Sequence, residues 1–273
     1  MRYIRLAVIL VFLVGLGIKG TAEVRSRFFT DHSYPVITST SETISVPCAY
    51  SDEELLAGLS ATDEKDGDIT ANILVGEISR FKEIGTSEVT YVVFDSDGHS
   101  STYSRQVTFS DYQSPRFSLD SALVFREGEG GDVMESIHGS DLLDGDISGT
   151  LSLDSSDVNY QISGDYAITV SMYNSYGDEV EITLPVHVLA TADQQLDIAL
   201  SSYLVYLSAG ESLNPRDYLE DVLTSSGESL GTGIVSVDSS GLDTSTPGVY
   251  QVAYTASSRD GRTGHSWLTV VVE

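Results

Sequence analysis

One stretch of sequence decides the fold: Gly85-Thr-Ser-Glu-Val-Thr-Tyr-Val-Val-Phe-Asp-Ser-Asp-Gly98. Its alternate positions are mostly apolar or aromatic, and this period of two is typical of a half-buried β-strand that ends at a glycine turn. The same pattern returns at Gly164–Gly177 and at Gly248–Gly261, and the two glycines are 13 residues apart each time. The sequence therefore predicts three copies of one β-structure.

A second alternating strand follows each glycine turn, so each pattern predicts a β-hairpin. These second strands are predicted at Tyr103–Phe109, Val180–Val188 and Trp267–Val272. Tyr91, Val170 and Tyr254 occupy equivalent positions of the three copies, so we expect them to be packing residues. Two short apolar stretches, Glu54–Ala57 and Tyr218–Leu223, are predicted to form single helical turns between strands.

A second landmark sets the repeat length. Asp63-Glu-Lys-Asp-Gly-Asp-Ile69 is matched by Asp141-Leu-Leu-Asp-Gly-Asp-Ile147, an offset of 78 residues, and the hairpins of the same two copies are offset by 79. A unit of this length suits a small β-sandwich. We therefore predict an all-β tandem array of three sandwiches after an N-terminal segment. The predicted bounds are 1–27 for that segment and 28–111, 112–190 and 191–273 for the domains, with linkers at Ser110–Ser114 and Ala190–Gln195.

At these residues the chain resembles a known family. The run Ala61-Thr-Asp-Glu-Lys-Asp-Gly-Asp-Ile-Thr70, followed by the hairpin strand, is similar to the bacterial immunoglobulin-like repeat of insecticidal crystal proteins and Gram-positive surface proteins. The resemblance covers residues 35–273, and the third copy departs from it because Thr224–Leu230 contains no Asp-Gly-Asp. It implies an immunoglobulin-like fold used as an extracellular spacer or adhesion module. Toxin activity is not implied.

The charge excludes one class of partner. The chain has 41 acidic and 14 basic residues, a formal charge of −27, and residues 28–273 alone carry 40 acidic and 9 basic residues. Such a surface repels phosphate backbones, so general nucleic-acid binding is excluded.

The N-terminus indicates export. Arg2 and Arg5 precede the uncharged run 6–18, and Gly20-Thr-Ala22 offers a cleavage site after Ala22. This pattern is typical of a secretory signal peptide. An uncleaved signal anchor is the alternative, in which case residues 6–18 are the contact with the membrane. Both alternatives place the remainder outside the cytoplasm, as an extracellular or cell-envelope protein.

The carboxylate triplets are the candidate metal ligands. Three hard oxygen ligands around a glycine suit Ca²⁺, with backbone carbonyls and water completing the shell. The alternative is that each side chain accepts hydrogen bonds from backbone N–H groups in an Asx-type turn. Neither triplet has the EF-hand spacing. Calcium is the one cofactor that these residues indicate, and the candidate ligands are Asp63, Asp66, Asp68, Asp141, Asp144 and Asp146.

Two motif matches do not support catalysis. Gly15-Leu-Gly-Ile-Lys-Gly20 fits the dinucleotide fingerprint, but it lies in the export segment without a βαβ unit. Gly227-Glu-Ser-Leu-Gly231 fits the nucleophile elbow of serine hydrolases, but its surroundings are β-rich rather than the strand and helix that the elbow needs.

Single residues add little. Cys48 has no second cysteine to pair with, and we expect it to be buried. Trp267 is expected in a core, although an exposed aromatic platform would bind sugars. The histidines at 32, 99, 138, 187 and 265 have no metal-ligand spacing.

The sequence thus indicates a non-enzymatic, secreted or anchored surface protein that acts as an adhesion, spacer or partner-binding module. Its partner is a protein or glycan at the cell surface. The alternative function is a carbohydrate-binding accessory module of the cell envelope. A third class, a hydrolase acting through Ser229, follows from the elbow motif alone. If the anchor is retained, the third copy is the outermost module, and we interpret it as a binding tip.

Overall fold

The computed structural model describes residues 33–273, and this part of the chain is almost entirely β-structure. It divides into two compact units, one ending at Ser110 and the other spanning Asp111–Glu273. The predicted export segment, residues 1–27, lies outside the described residues. No helix within 33–273 is long and apolar enough to cross a membrane.

The first unit is a sandwich of two sheets. One sheet has the order β1-β3-β4 and the other β2-β7-β6-β5, and β2 pairs in parallel with β7 while the other pairs are antiparallel. The strands are β1 Val36–Ser39, β2 Thr43–Val46, β3 Leu59–Asp63, β4 Gly67–Asp68, β5 Leu74–Ile78, β6 Thr86–Phe94 and β7 Ser100–Phe109.

One short helix, α1 (Asp52–Leu56), lies between β2 and β3 and confirms the helical turn predicted there. Ser51 caps it, because its hydroxyl accepts from the N–H of Glu54 while the Glu54 carboxylate accepts from the N–H of Ser51. This reciprocal capping box satisfies backbone donors that a helix of five residues leaves open. The helix buries Leu55 in the core.

The second unit repeats the same sheet pattern twice. Its sheets have the orders β11-β10-β8, β12-β13-β14-β9, β15-β17 and β16-β20-β19-β18. The first seven strands are β8 Arg116–Leu119, β9 Val124–Arg126, β10 Ile137–Asp141, β11 Gly145–Asp146, β12 Ser152–Ser156, β13 Gly164–Tyr173 and β14 Glu179–Leu189. The remaining six are β15 Leu196–Leu200, β16 Leu204–Leu207, β17 Leu219–Thr224, β18 Val235–Asp238, β19 Gly248–Ser257 and β20 Thr263–Val272.

Short 3₁₀ turns complete both units, at Thr70–Asn72, Val133–Ser136, Ser148–Thr150, Pro215–Tyr218 and Thr232–Ile234. We call the three sets of strands β1–β7, β8–β14 and β15–β20 the first, second and third repeats. The third has no short strand equivalent to β4 and β11, in keeping with its missing Asp-Gly-Asp.

The predicted hairpins are confirmed as β6–β7, β13–β14 and β19–β20. The second strand of the third hairpin begins at Thr263, four residues before the predicted start at Trp267. The predicted helical turn at Tyr218–Leu223 is wrong, because Leu219–Thr224 is strand β17 and pairs with β15. There the 3₁₀ turn precedes the strand and ends at Tyr218.

The three equivalent residues of the central hairpins are core residues, as predicted. Tyr91, Val170 and Tyr254 are each 0% exposed. Each buried hydroxyl donates to a backbone carbonyl at 2.6 Å, Tyr91 to Leu55 and Tyr254 to Pro215. These bonds satisfy the polar end of a large buried ring.

A buried cation distinguishes the first repeat. Arg105 is 3% exposed and lies seven residues after the turn glycine, where the other repeats have Leu184 and Leu268. Its guanidinium donates to the carbonyls of Leu55 and Ala57 at 2.8 Å each, and also bonds Ser39 Oγ and Tyr91 at 3.1 Å. Arg105 thereby ties α1 and the end of β1 to the central hairpin.

Replacing Arg105 should destabilise the first unit. We expect Arg105→Ala to lower its free energy of unfolding by about 3 kcal/mol, because several buried acceptors lose their donor and a cavity is left. Chemical denaturation followed by circular dichroism measures the loss. The exposed Arg80→Ala is the matched control, and a variant at Arg105 as stable as this control would contradict the role.

Candidate functional site

The carboxylate triplets lie in equivalent turns of the first two repeats. Asp63 Oδ1 accepts from the N–H of Lys65 and of Asp66 at 2.9 and 3.0 Å. Asp141 Oδ1 accepts from Leu143 and Asp144 at 2.8 and 2.9 Å. The side chain of the first aspartate of each triplet therefore forms an Asx turn, which closes the loop that contains it.

The last aspartate of each triplet begins a 3₁₀ turn. Asp68 accepts from the N–H of Thr70 at 2.9 Å, and Asp146 accepts from Ser148 N and Oγ at 2.9 and 2.6 Å. These hydrogen bonds lower the pKa of both carboxyl groups, and the hydroxyl of Thr70 or Ser148 has the largest effect.

The middle aspartate of each triplet reaches across to the hairpin turn. Asp66 accepts from the N–H and the hydroxyl of Ser96 at 2.7 and 2.8 Å. Asp144 accepts from the same groups of Ser175 at 2.5 and 2.8 Å. The three carboxylates of a triplet thus serve three different purposes instead of converging on one point.

Within residues 33–273, no three His, Cys, Asp or Glu side chains are grouped so as to hold a metal ion. Calcium binding by Asp63, Asp66, Asp68, Asp141, Asp144 and Asp146 is untested, and of the two alternatives the contacts above favour the Asx turn. A further partner of Asp141 is Tyr112, whose hydroxyl also donates to Asp178 at 2.8 Å. Burial raises the pKa of the Tyr112 phenol.

The candidate catalytic residues hold other partners. Ser229 donates to Asp221 Oδ1 at 2.8 Å, and His265 Nδ1 lies 3.3 Å from the hydroxyl of Thr255. Ser229 lies at an isolated bridge with Leu223, not at a strand-to-helix elbow. The elbow motif therefore forms no Ser–His pair in the described part of the chain. The fingerprint at Gly15–Gly20 lies outside the described residues.

The second and third repeats meet in a packed junction, which sequence reasoning missed. Leu204 of β16 is 5% exposed and belongs to the core of the second repeat, and Tyr203 packs against the cores of both. Tyr206 accepts from the N–H of Phe117 at 2.9 Å, and burial raises its pKa to about 12. The apolar and hydrogen-bonded contacts make the two repeats one continuous structure.

Polar and aromatic contacts surround this packed junction. The Arg116 guanidinium lies 4.6 Å from the Tyr206 ring centroid and bonds Glu273 at 2.9 Å. On the side of β14, the His187 ring stacks on Trp267 with centroids 3.7 Å apart, and His187 Nε2 lies 3.0 Å from Gln251 Oε1. Trp267 thus anchors the junction and has one ring face covered.

The predicted linker Ala190–Gln195 is part of the junction. Gln194 is 9% exposed, and its side chain pairs with the backbone of His265, accepting from N at 2.8 Å and donating to O at 3.0 Å. Its carbonyl accepts from Arg126 Nε at 2.8 Å. Gln195 continues the pairing through its N–H to Thr263. The connection is fixed to both repeats and does not act as a flexible tether.

No family model matches the chain. A curated relative is the pesticidal crystal protein Cry22Aa of Bacillus thuringiensis, 28% identical over 222 residues. The match covers 78% of this chain and 29% of the relative, so the chain spans less than a third of that protein's length. The similarity to an insecticidal crystal protein is confirmed at this level, and the immunoglobulin-like repeat family stays a prediction.

Two solved structures show distant similarity. One is the M60 catalytic domain with the CBM51-1 and CBM51-2 domains from Clostridium perfringens ZmpB, at 14% identity, covering 89% of this chain and 31% of that one with a TM-score of 0.25. Another is the protocadherin GammaB4 extracellular domain, at 12% identity, covering 89% and 51% with a TM-score of 0.23. At these TM-scores neither structure informs the function of this chain.

Calcium should leave the stability unchanged. Calcium that bound the native state alone would raise the unfolding temperature by linkage. Because the carboxylates already accept hydrogen bonds within their own repeats, we expect the unfolding temperature of the full chain to differ by no more than about 1 °C between excess calcium and chelator. Asp66→Ala should instead cost about 1 kcal/mol in either condition through the lost bonds to Ser96. A calcium-dependent rise that Asp66→Ala and Asp144→Ala abolish would contradict this expectation.

Acid should weaken the fold through the capped turns. Hydrogen bonds lower the pKa of Asp68, Asp146 and Asp221 below the ordinary value near 3.8, and Arg262 with Ser258 lowers that of Asp260 to about 2. A lowered native pKa means that the stabilisation is complete above about pH 4 and is lost as the pH falls towards 2. The free energy of unfolding, measured as the pH is lowered from about 4 to 2, tests whether stability falls on acidification. A stability that rises on acidification would contradict this expectation.

Proposed function

We propose that this protein is a non-catalytic extracellular spacer whose second and third repeats form one stiff rod. The junction between those repeats carries the proposal. It has apolar packing through Leu204, a stacked His187–Trp267 pair and a connection that is hydrogen-bonded on both sides. A flexible tether needs none of these contacts, whereas a spacer that holds a surface at a fixed distance needs all of them to resist bending.

The sequence supports the extracellular setting. The basic and apolar start of the chain is typical of an exported protein, and the negative charge keeps a repeat protein soluble and resists association between copies. The different partners of Ser229 and His265 support a role without catalysis. His187 stacks on the Trp267 ring and covers one of its faces, so a glycan could use only the other face.

The rod can be tested by a distance measurement in the full chain. Spin labels at the exposed positions Ser155 and Ser240, in a Cys48→Ala background, report the separation of the second and third repeats. We expect a single narrow distribution of distances by pulsed dipolar spectroscopy, because the packed junction allows one relative orientation.

An insertion supplies the control. Eight Gly and Ser residues placed after Ala192, combined with Leu204→Ser and Trp267→Ala, remove both the short connection and the packed contacts, so the distribution should become several-fold broader. A second control, His138→Ala, removes an exposed histidine of the second repeat and should leave the narrow distribution unchanged. An unmodified chain with a distribution as broad as that of the insertion variant would overturn the proposal.

A further inference from the structure

The turn that ends the central hairpin is built alike in all three repeats. In each, the closing glycine donates its backbone N–H to the carbonyl of the residue three positions earlier, at 3.1–3.3 Å, in the pairs Gly98–Asp95, Gly177–Asn174 and Gly261–Ser258. The second residue of the turn is consequently equivalent in the three repeats. It is Ser96, Ser175 and Arg259.

In the first two repeats this position binds a carboxylate. The N–H and the hydroxyl of Ser96 both donate to Asp66, and those of Ser175 both donate to Asp144. Each carboxylate comes from the loop that faces the hairpin turn. The molecule thus shows twice that the backbone at this turn presents a donor to a carboxylate in front of it.

The third repeat has lost its own carboxylate. Ile69 donates its N–H to Ala61 at 2.9 Å and Leu230 donates to Val222 at 2.8 Å, which makes Leu230 the equivalent of Ile69. Counting back three residues from each places Gly227 at the position of Asp66, although the left-handed residue is Gly67 in the first loop and Gly227 in the third. Where the first two repeats combine aspartate with serine, the third combines glycine with arginine.

A cavity of about 440 Å³ opens at this place in the third repeat. Leu230 and Ile234 line it from the facing loop, and the hairpin turn supplies the remaining lining residues, Ser258, Arg259, Asp260 and Arg262. The cavity therefore has an apolar side and a charged side.

The charged side carries a net positive charge. Arg262 is paired with Asp260, with Nε 2.9 Å from Oδ2. Arg259 is exposed and makes no hydrogen bond or ion pair with another residue in the described range 33–273. Residues 191–273 contain three basic and eleven acidic side chains, and two of the three basic ones line this cavity. Arg259 is thus an unneutralised cation on an otherwise acidic repeat, and it can attract an anion that fits.

We infer that this cavity binds the carboxylate of a partner peptide, held by the Arg259 guanidinium and the backbone of the hairpin turn. A guanidinium and a carboxylate form paired, charge-assisted hydrogen bonds. Leu230 and Ile234 accept the apolar side chain that adjoins the carboxylate. A peptide is the favoured source because the carboxylates bound at this turn in the first two repeats are themselves peptide side chains. The site does not depend on the rod, since all its residues belong to the third repeat.

Binding can be measured with two small probes that differ at one group, a carboxylate in the first and a neutral carboxamide in the second. N-acetylleucine offers a carboxylate beside an apolar side chain, and N-acetylleucinamide is its neutral counterpart. Titrated into the ¹⁵N-labelled full chain, the acid should give saturable shifts at the amides of Arg259 and Gly261 with a millimolar dissociation constant, and the amide should give none. Arg259→Ser, which restores the residue of the other repeats, should weaken binding at least about tenfold. Arg216→Ser removes the third cation of the repeat and should leave the dissociation constant unchanged.

A second pair of variants changes the charge of the facing loop. Gly227 has φ +80° with open space at its Cβ position, so Asp and Asn strain the loop to a similar extent. Gly227→Asp adds a negative charge and should weaken binding of the acid by repulsion, whereas the neutral Gly227→Asn should retain it. The amide spectrum of each variant shows whether the repeat remains folded.

Three outcomes would overturn the inference. Equal binding of acid and amide would show that the carboxylate is not recognised, and unchanged binding in Arg259→Ser would exclude the guanidinium. Tighter binding of glucuronate than of N-acetylleucine would replace the peptide by an acidic glycan. The distance measurement on the rod is unaffected by any of these results, so the two proposals fail separately.

Discussion

The hydrogen-bonded register of each central hairpin determines where the other features of its repeat lie. Ten residues of β19 pair with ten of β20, and this ladder leaves no freedom in the position of the glycine turn. With the turn fixed, the facing loop can reach it with one side chain, as Asp66 reaches Ser96. The parallel pairing of β16 with the far end of β20 is set by the same ladder, and it brings Leu204 and Tyr206 to the face that meets the preceding repeat. The loop contact and the junction therefore follow from one register.

The junction shows how a repeat of this size extends its core. A sandwich of about 80 residues buries a limited apolar surface, and sharing a core with its neighbour adds to it. The second repeat gains Leu204, and the third gains a covered outer face around Trp267. The contacts at the rim are directional, since His187 and Gln194 each bond specific partners. Apolar packing supplies stability here, while the hydrogen bonds select one orientation of the two repeats.

The sequence was informative where the structure depends on local pattern. Alternation with a period of two predicted all three hairpins, because neighbouring residues of a strand point to opposite faces whatever surrounds them. It failed at Tyr218–Leu223, where a 3₁₀ turn and a strand follow each other without a break in apolar character. It also gave no sign of Arg105, whose acceptors lie about 50 residues away at Leu55 and Ala57. For the Asp-Gly-Asp loops the residues were found, but the contact of Asp66 with Ser96 spans 30 residues and is visible in the folded chain alone.

Divergence between copies of one repeat separates residues that maintain the fold from residues that are free to change. The closing glycine and its backbone bond are kept in all three hairpin turns, so this feature belongs to the fold. The carboxylate bridge is kept in two and replaced in the third, where the β-sandwich still forms with an intact ladder. The bridge is thus dispensable for folding, and its loss uncovers a donor position that the fold continues to build. A simple loss would leave serine or another small residue at the turn. The third repeat has Arg259 there, a positive charge without an ion-pair partner in the described residues, and a ligand of opposite charge would explain its presence.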